Sequence, residues 1–197
     1  MPVIKDKEEL MKRFGARRFF FLSILGACLV SSIPLSAQEE FRTRLLNTAG
    51  LFSDRMITIK IKIEDYTTIE EIRELQKIHA ERGSLAFMNT LKKADKGVIN
   101  FLSTRGLNLR IIAAAVQPTD SGRKILLVME RRSWDTETTI RIDRHYLYMV
   151  MELDVDTEGR GTGKLYKGAN IQMGGKQLIE LTDSYPPMLL HNVRQTK

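Results

Sequence analysis

Residues Met56 to Glu64, with the sequence MITIKIKIE, alternate strictly between apolar and polar side chains. The isoleucines at every second position share one face, and threonine, lysine and glutamate share the other. Alternation with a period of two predicts a β-strand with one buried and one solvated face. A register slip of one residue would bury Lys60 and Lys62, so the pairing of this strand is well specified.

After this strand the hydrophobic pattern changes to a helical one. Thr68 and Glu71 form a capping box, in which the hydroxyl and the carboxylate each accept a free backbone N–H group. Apolar residues then recur at helical spacing up to Gly83, which supplies a left-handed stop. Ser84 is a candidate cap for a second helix, which closes at Gly97. The pattern therefore predicts a helical hairpin inserted between strands.

The rest of the chain alternates between short apolar runs and turn residues, which is typical of strands joined by hairpins. The predicted strands are Phe41–Thr48, Val98–Leu102, Leu107–Gln117, Lys124–Arg131, Thr138–Ile142, Tyr146–Asp154, Gly163–Lys167, Gln177–Thr182 and Leu189–Val193. Strands this close in sequence are antiparallel, because a parallel crossover needs about a dozen residues or more. We therefore predict an α+β fold: a large antiparallel sheet, curled or folded into two layers, with one inserted helical hairpin.

Residues 1–37 combine a basic flank, a short apolar run and a small residue, Ala37, ahead of a polar stretch. This order is typical of a secretory signal peptide. The uninterrupted apolar run, Phe19–Val30, is 12 residues long, whereas a helix that spans a bilayer needs about 20. We therefore expect cleavage after Ala37, export to the periplasm or the extracellular space, and a single domain over residues 38–197.

Two alternatives to cleavage stay open. Leu25 to Cys28 resembles a bacterial lipobox, in which Cys28 would be lipidated, and an uncleaved segment over residues 19–36 would be a membrane anchor. Residues 1–10 make an unusual start for a signal peptide, and Met11 is an alternative initiator that would leave them upstream of the true start. Cys28 is the only cysteine, so the predicted domain folds without a disulfide.

The formal net charge is +7, and residues 1–37 contribute +3 of it through six Lys/Arg and three Asp/Glu. The mildly basic remainder argues against nucleic acid as a partner. Arg42, Arg44, Lys60 and Lys62 would form a basic stripe if the first two strands pair as a hairpin with their polar sides aligned. Anionic lipid headgroups or polysaccharides are the accessible partners for such a stripe on an exported protein. A plain solvated face is the simpler interpretation of the same residues.

Two further segments carry residues that are typical of binding sites. Around the only tryptophan, Arg131, Arg132 and Trp134 have the composition of an interface hot spot or a sugar-stacking surface. Tyr146 and Tyr148 lie on one face of a strand that is apolar on both faces. Such a strand is usually covered twice, and a missing cover would leave an apolar groove for a ligand.

No catalytic, metal or cofactor site stands out in the sequence. The acids of DVDTEG, Asp154–Gly159, resemble half of a calcium loop, but the twelfth position holds Leu165 instead of glutamate. The histidines, His79, His145 and His191, have no second ligand at a metal-binding spacing. We therefore predict no cofactor and no metal. A hydrolase with a site assembled from distant residues stays open as an alternative, as does a structural envelope subunit held by an uncleaved anchor.

Several short motifs resemble a family of exported bacterial proteins without an assigned activity. They are YTTIEE at Tyr66–Glu71, Gly83 and Leu91 in the helical insert, Gly97, the turn DTEGRGTG and the terminal LLHNVR at Leu189–Arg194. The resemblance covers most of residues 38–197. It implies a secreted β-rich domain and supplies no catalytic residue. We therefore predict a non-enzymatic exported domain that binds an envelope component, an apolar ligand or a protein partner.

Overall fold

The alternating strand at Met56 is one of nine strands among the residues that the computed structural model of the protein describes. The structure describes residues 38–47, 55–102, 107–130, 146–174, 179–184 and 186–197. The strands are β1 (Glu39–Asn47), β2 (Arg55–Ile63), β3 (Gly97–Phe101), β4 (Leu107–Thr119), β5 (Gly122–Glu130), β6 (Tyr148–Asp156), β7 (Arg160–Met173), β8 (Ile179–Ser184) and β9 (Met188–Gln195). One helix, α1 (Ile69–Leu91), lies between β2 and β3. The predicted strand Thr138–Ile142 falls outside the described residues.

Eight of these strands close into an antiparallel barrel. Consecutive strands from β1 to β6 are paired, β9 pairs with both β1 and β7, and β6 pairs with β7. Strand β8 pairs with the far half of β7 and lies outside the ring. The predicted α+β class with an antiparallel sheet is confirmed. The prediction of a curled or two-layer sheet is wrong, because the hydrogen bonds between β6 and β7 join the sheet to itself.

The barrel interior is filled by the apolar half of each alternating strand. Ile59, Ile61 and Ile63 of β2 are fully buried there, as the alternation at Met56–Glu64 predicts. Met149 and Met151 of β6 point into the same interior. Burial of these side chains stabilises the barrel by about 25 cal/mol for each Å² of apolar surface that is removed from water. This hydrophobic contribution is the main force that closes the barrel.

Two glycines of β7 allow β6 and β7 to approach each other closely, and we call this pairing the closing seam. An added Cβ at Gly161 would overlap the carbonyl oxygen of Asp154 on β6, and one at Gly163 would crowd the side chains of Leu153 and Leu190. Glycine within a strand often marks a site where another backbone approaches closely. The seam therefore depends on two positions of β7 that carry no side chain.

The helical insert has the cap and the break at Gly83 that the sequence predicts. The capping box is present, with the Glu71 N–H donating to Thr68 Oγ1 at 3.2 Å and the Thr68 N–H donating to Glu71 Oε2 at 2.7 Å. Gly83 is left-handed, with φ of 77°. The element α1 thus consists of two helical segments that meet at a kink at Gly83, the one residue within it that leaves helical conformation. Glu74 before the kink and Thr90 after it line the same pocket, as a helical hairpin requires.

Helix α1 packs on the outside of the barrel. Its buried residues Ile72, Leu75 and Leu91 contact the outward side chains of strands β4 to β7. We refer to this side as the covered face. Its buried strand residues are Ile112, Ala113, Ala115, Leu126, Val128, Tyr148, Val150, Tyr166, Ala169 and Met173. The outward side of β2, β1, β9 and the first half of β7 carries polar residues, and we refer to it as the bare face.

Candidate functional site

Outward-facing cations of four neighbouring strands meet in one row on the bare face. The pairing of β1 with β2 places Arg42 opposite Lys60. Strand β9 places Arg194 opposite Arg42, and β7 places Arg160 opposite Arg194. Neighbouring strands lie about 4.8 Å apart, so these four charges follow one another over roughly 15 Å. We call Lys60, Arg42, Arg194 and Arg160 the cation row.

Further cations flank this row. Arg44 lies two residues beyond Arg42 on the same face of β1, opposite His191 of β9. Lys62 lies on the other side of the row, and Lys164 faces outward on β7. All four residues of the predicted basic stripe thus share one surface, and β9 and β7 extend that surface around the barrel.

Acids neutralise only part of this charge. Lys60 Nζ lies 3.0 Å from Glu40 Oε2, and the hydrogen bond from Lys60 lowers the pKa of Glu40. Lys62 Nζ lies 2.7 Å from Glu64 Oε1, a hydrogen bond that raises the pKa of Lys62. Within the described ranges, no ion pair joins the exposed Arg42 to an acid. Like charges directly opposite each other destabilise a sheet, so the row has an electrostatic cost.

The two arginines at the end of the row, Arg194 and Arg160, were not predicted as part of the stripe. Arg194 Nε donates to Asn192 Oδ1 at 2.8 Å, and Arg160 Nη2 lies 3.3 Å from Glu158 Oε2. Asn192 is left-handed, with φ of 55°, at an irregularity in the pairing of β9 with β1. This irregularity breaks the period-two pattern, and the first and last strands lie about 150 residues apart in sequence. The sequence places Arg160 directly after a turn, but it gives no comparable signal for Arg194.

A buried carboxylate closes the end of the barrel at which β1 begins. Glu39 Oε1 accepts from Arg123 Nη1 at 2.8 Å, and Glu39 Oε2 accepts from the Tyr66 hydroxyl at 3.1 Å. Burial, followed by the charge of Glu39, raises the pKa of Tyr66. The Arg123 guanidinium also lies 5.8 Å from the ring centroid of Phe41. Each group of this cluster has a partner, which favours a structural function for it.

A second buried charge joins α1 to the barrel. The Lys96 side chain is 7% exposed, and its ammonium group donates to Glu71 Oε1 and Oε2 at 2.8 and 2.9 Å and to Asp65 Oδ2 at 3.1 Å. Burial acts to lower the pKa of Lys96, but the hydrogen bonds and charges of the two acids outweigh it and raise that pKa. Lys96 also lines a pocket of about 270 Å³ against Leu75 and Ile112.

The predicted ligand-binding residues are not brought together by the described structure. Arg131, Arg132 and Trp134 lie outside the described residues, so their assignment stays a prediction. The Tyr146 hydroxyl donates to Asp183 Oδ2 at 3.1 Å. Tyr148 is 3% exposed beneath α1.

The strand that carries these tyrosines is covered on both faces. Met149 and Met151 of β6 face the barrel interior, and Tyr148 and Val150 face α1. Burial raises the pKa of Tyr148 to about 12, and its hydroxyl has no hydrogen-bond partner within the described part of the chain. The first cover is therefore the barrel interior, and the second is the outer cluster to which α1 and β8 both contribute.

The candidate metal ligands are scattered or engaged elsewhere. His79 Nε2 lies 3.1 Å from Ser84 Oγ on α1, His191 lies on the bare face, and His145 falls outside the described residues. Asp156 Oδ1 accepts the backbone N–H groups of Glu158 and Arg160 at the β6–β7 turn. Among the residues that the structure describes, no three His, Cys, Asp or Glu side chains group together as metal ligands.

Two findings complete the description of the molecule. Among the described residues, no helix combines the length and the apolar character needed to cross a membrane. The chain matches no protein-family profile, and neither a curated protein nor a solved structure shows detectable similarity to it.

Proposed function

We propose that this protein is a non-enzymatic exported domain that binds an anionic component of the cell envelope through the bare face. The observation that carries this proposal is the cation row, in which Lys60, Arg42, Arg194 and Arg160 oppose one another on four adjacent strands. A row of like charges disfavours the folded state, whereas an anionic ligand would convert the same repulsion into attraction.

The chemistry of the row suits phosphate or carboxylate groups. Three of its four cations are arginines, whose planar guanidinium groups donate two parallel hydrogen bonds to such anions. Arg42 and Arg194 are exposed, so their donors are accessible to a ligand outside the barrel. Export brings this face into contact with anionic lipids and polysaccharides rather than with nucleic acid.

The other predicted functions lack comparable support from the described residues. A hydrolase would need a nucleophile, a base and a positioning group in one pocket, and an apolar ligand would need an open apolar groove. A structural subunit held by an uncleaved anchor depends on residues 19–36, which lie outside the described structure. These alternatives stay predictions.

The direct test is binding of the full-length chain to soluble polyphosphate, measured by fluorescence anisotropy of a labelled polymer. The double variant R42Q/R194Q removes two charges from the cation row. The matched control K77Q/R82Q removes two exposed charges from α1, so both variants have the same net charge and the same N-terminal segment.

We expect the cation-row variant to bind at least tenfold more weakly, since each cation contributes about 1 kcal/mol near an anionic surface. We expect the control to bind like the natural chain. Binding should also disappear near 1 M salt, where the Debye length is about 3 Å. Equal losses in both variants would show that net charge alone is responsible and would refute a site on the bare face.

A further inference from the structure

Exposed apolar side chains lie beyond the cation row, towards the end of the barrel at which β1 finishes. Met56, Leu102 and Leu189 are 51%, 58% and 56% exposed, and they account for three of the six large apolar side chains that stand exposed among the described residues. Leu46, which is partly buried, lies directly opposite Met56. We call Leu46, Met56, Leu102 and Leu189 the apolar edge.

The register places Leu46, Met56 and Leu189 side by side, and it places Leu102 opposite Thr58, one outward position short of Met56. Leu190 pairs with Leu45, so the preceding Leu189 lies beside Leu46 across the β1–β9 ladder. The backbone N–H of Leu102 donates to the Thr58 carbonyl at 2.9 Å, which extends the edge onto the strand next to β2. Strands β1, β2 and β9 and the residue that follows β3 thus contribute one apolar side chain each, near the barrel end at which β1 finishes.

Apolar and cationic residues are layered along the strand direction. On β1 the outward residues run from Arg42 through Arg44 to Leu46, and successive outward residues of a strand lie roughly 7 Å apart. The cation row therefore lies about 13 Å from the apolar edge, with Arg44 and His191 halfway between them. This spacing is comparable to the depth of a lipid interface, where apolar groups enter about 5–10 Å and cations stay among the headgroups.

Resting on the proposed function, we propose that the anionic ligand is the surface of a lipid bilayer and that the apolar edge inserts into it. In this orientation Arg44 meets the phosphate groups, while the cation row stays within about one Debye length of the charged surface. Lys164, which lies opposite Leu189, can extend its ammonium group from the edge towards the headgroups.

A bilayer fits this surface better than a protein partner does. Protein interfaces depend on aromatic and arginine anchors seated in complementary pockets, whereas the apolar edge is aliphatic and runs around the outside of a barrel. A second copy of this chain would bring one cation row against another, and the like charges would repel. A lipid interface requires only exposed apolar groups next to cations, and both are present.

The test places a fluorescent probe on the apolar edge of the full-length chain. Cys28 is replaced by serine, and a single cysteine is introduced as Leu189→Cys or, for the control, as Lys77→Cys on the exposed surface of α1. Each is labelled with nitrobenzoxadiazole, whose emission rises and shifts to shorter wavelength on transfer from water to lipid. The ligands are vesicles of phosphatidylglycerol with phosphatidylcholine, vesicles of phosphatidylcholine alone, and soluble polyphosphate.

We expect the probe at position 189 to respond to the phosphatidylglycerol vesicles and to neither of the other ligands, and the probe at position 77 to stay silent. R42Q/R194Q should weaken vesicle association roughly 30-fold, since each cation near the membrane contributes about fivefold. Met56→Gln and Leu189→Gln should each weaken it on the order of tenfold while leaving polyphosphate binding intact.

Other outcomes separate this inference from the proposed function. If the probe at position 189 stays in water on anionic vesicles while R42Q/R194Q still weakens polyphosphate binding, bilayer insertion is refuted and the anion-binding site stands. If both probes respond equally, the N-terminal segment carries the chain to lipid, and insertion of the apolar edge is refuted. If R42Q/R194Q changes neither ligand's binding, both proposals fail.

Discussion

The covered face and the bare face are two outer sides of the same barrel, built from strands of similar length, and they differ in what their outward positions carry. Outward residues such as Val128 and Val150 are fully buried beneath α1 or its neighbours, whereas the outward residues Arg42 and Arg44 are exposed. The inward positions are apolar on the covered side and on the bare side alike, because they fill the barrel interior. The residue types at the outward positions of each strand therefore indicate whether water or another element lies outside the barrel at that point.

This difference explains why the first half of β6, Tyr148–Met151, is apolar on both faces, whereas β2 is apolar on only one. Residues Tyr148–Met151 separate the barrel interior from the outer cluster that includes α1, so both faces of this half of β6 are dry. Strand β2 separates the interior from water, so Lys60 and Lys62 alternate with buried isoleucines. An outward position is apolar where another element packs, and the apolar edge is an exception on the bare face.

The largest expected effect comes from exchanging residue types between the faces. Val150→Lys would bury an unpaired ammonium group beneath α1, at a cost of about 5 kcal/mol or more, which is comparable to the whole stability of many domains. The reciprocal Lys60→Val should change the unfolding free energy by less than about 1 kcal/mol, because it loses a partly exposed ion pair and relieves repulsion with Arg42. Urea denaturation monitored by circular dichroism measures both.

Equal tolerance of these two substitutions would contradict the packing of α1 on β6. Val150→Ala serves as the control, since it shortens the same side chain without adding charge. We expect it to cost about 1–3 kcal/mol and to leave the fold intact.

A smaller effect is expected where α1 is joined to the barrel. Lys96→Met leaves Glu71 and Asp65 without their shared cation and should destabilise the protein by about 2–3 kcal/mol. This estimate lies below the usual range for a buried pair because the side chains of Glu71 and Asp65 are 42% and 53% exposed. Lys93→Met, at an exposed position three residues earlier, is the matched control and should be nearly neutral. Chemical denaturation of both variants checks the difference.

Local patterns predicted the strands and the helix cap well. The strand at Met56–Glu64, the capping box of Thr68 and Glu71, and the turn at Gly159 each depend on residues close together in sequence. Each appears in the structure within a few residues of its predicted place. Alternation and capping are short-range effects, so a single sequence contains the information they need.

Closure of the barrel and the cation row could not be predicted in the same way. Both depend on β9 reaching β1 and β7, and no local pattern specifies these pairings between strands far apart in sequence. The glycines of the seam matter because another strand approaches them, not because of their own turn. The position of Arg160 and Arg194 on the basic surface therefore follows only from the strand order.

Two tyrosines of the covered face provide a finer comparison. The Tyr166 hydroxyl donates to Glu152 Oε2 at 2.9 Å, whereas the Tyr148 hydroxyl lacks a partner among the described residues. Tyr166→Phe should therefore cost about 1 kcal/mol, and Tyr148→Phe should raise the unfolding free energy by about the same amount. A loss of stability in Tyr148→Phe would indicate that its hydroxyl is satisfied by water or by a residue outside the described ranges.

The pH dependence of the unfolding free energy provides a second test of the Tyr148 hydroxyl. Burial raises the pKa of Tyr148 to about 12, against about 10 in an unfolded chain. Between these pH values the hydroxyl keeps its proton in the folded chain and loses it in the unfolded chain. The stability that this difference contributes is complete below pH 10 and is lost as the pH rises towards 12. Tyr148→Phe should therefore lose stability less steeply than the natural chain over this range, as measured by urea denaturation at successive pH values.

The smallest expected effect tests whether the bare face carries a cost at all. R42Q/R194Q removes two charges that oppose each other and should raise the unfolding free energy by a few tenths of a kcal/mol at low salt. The gain should vanish near 1 M salt, because screening already removes the repulsion there. The control K77Q/R82Q should show no such gain, since it leaves the row intact. If the row variant is not more stable at low salt, the cations are already balanced by counter-ions or by residues outside the described ranges. The contrast with the covered face would then reflect solvation alone, and binding would have to be shown without the argument from electrostatic cost.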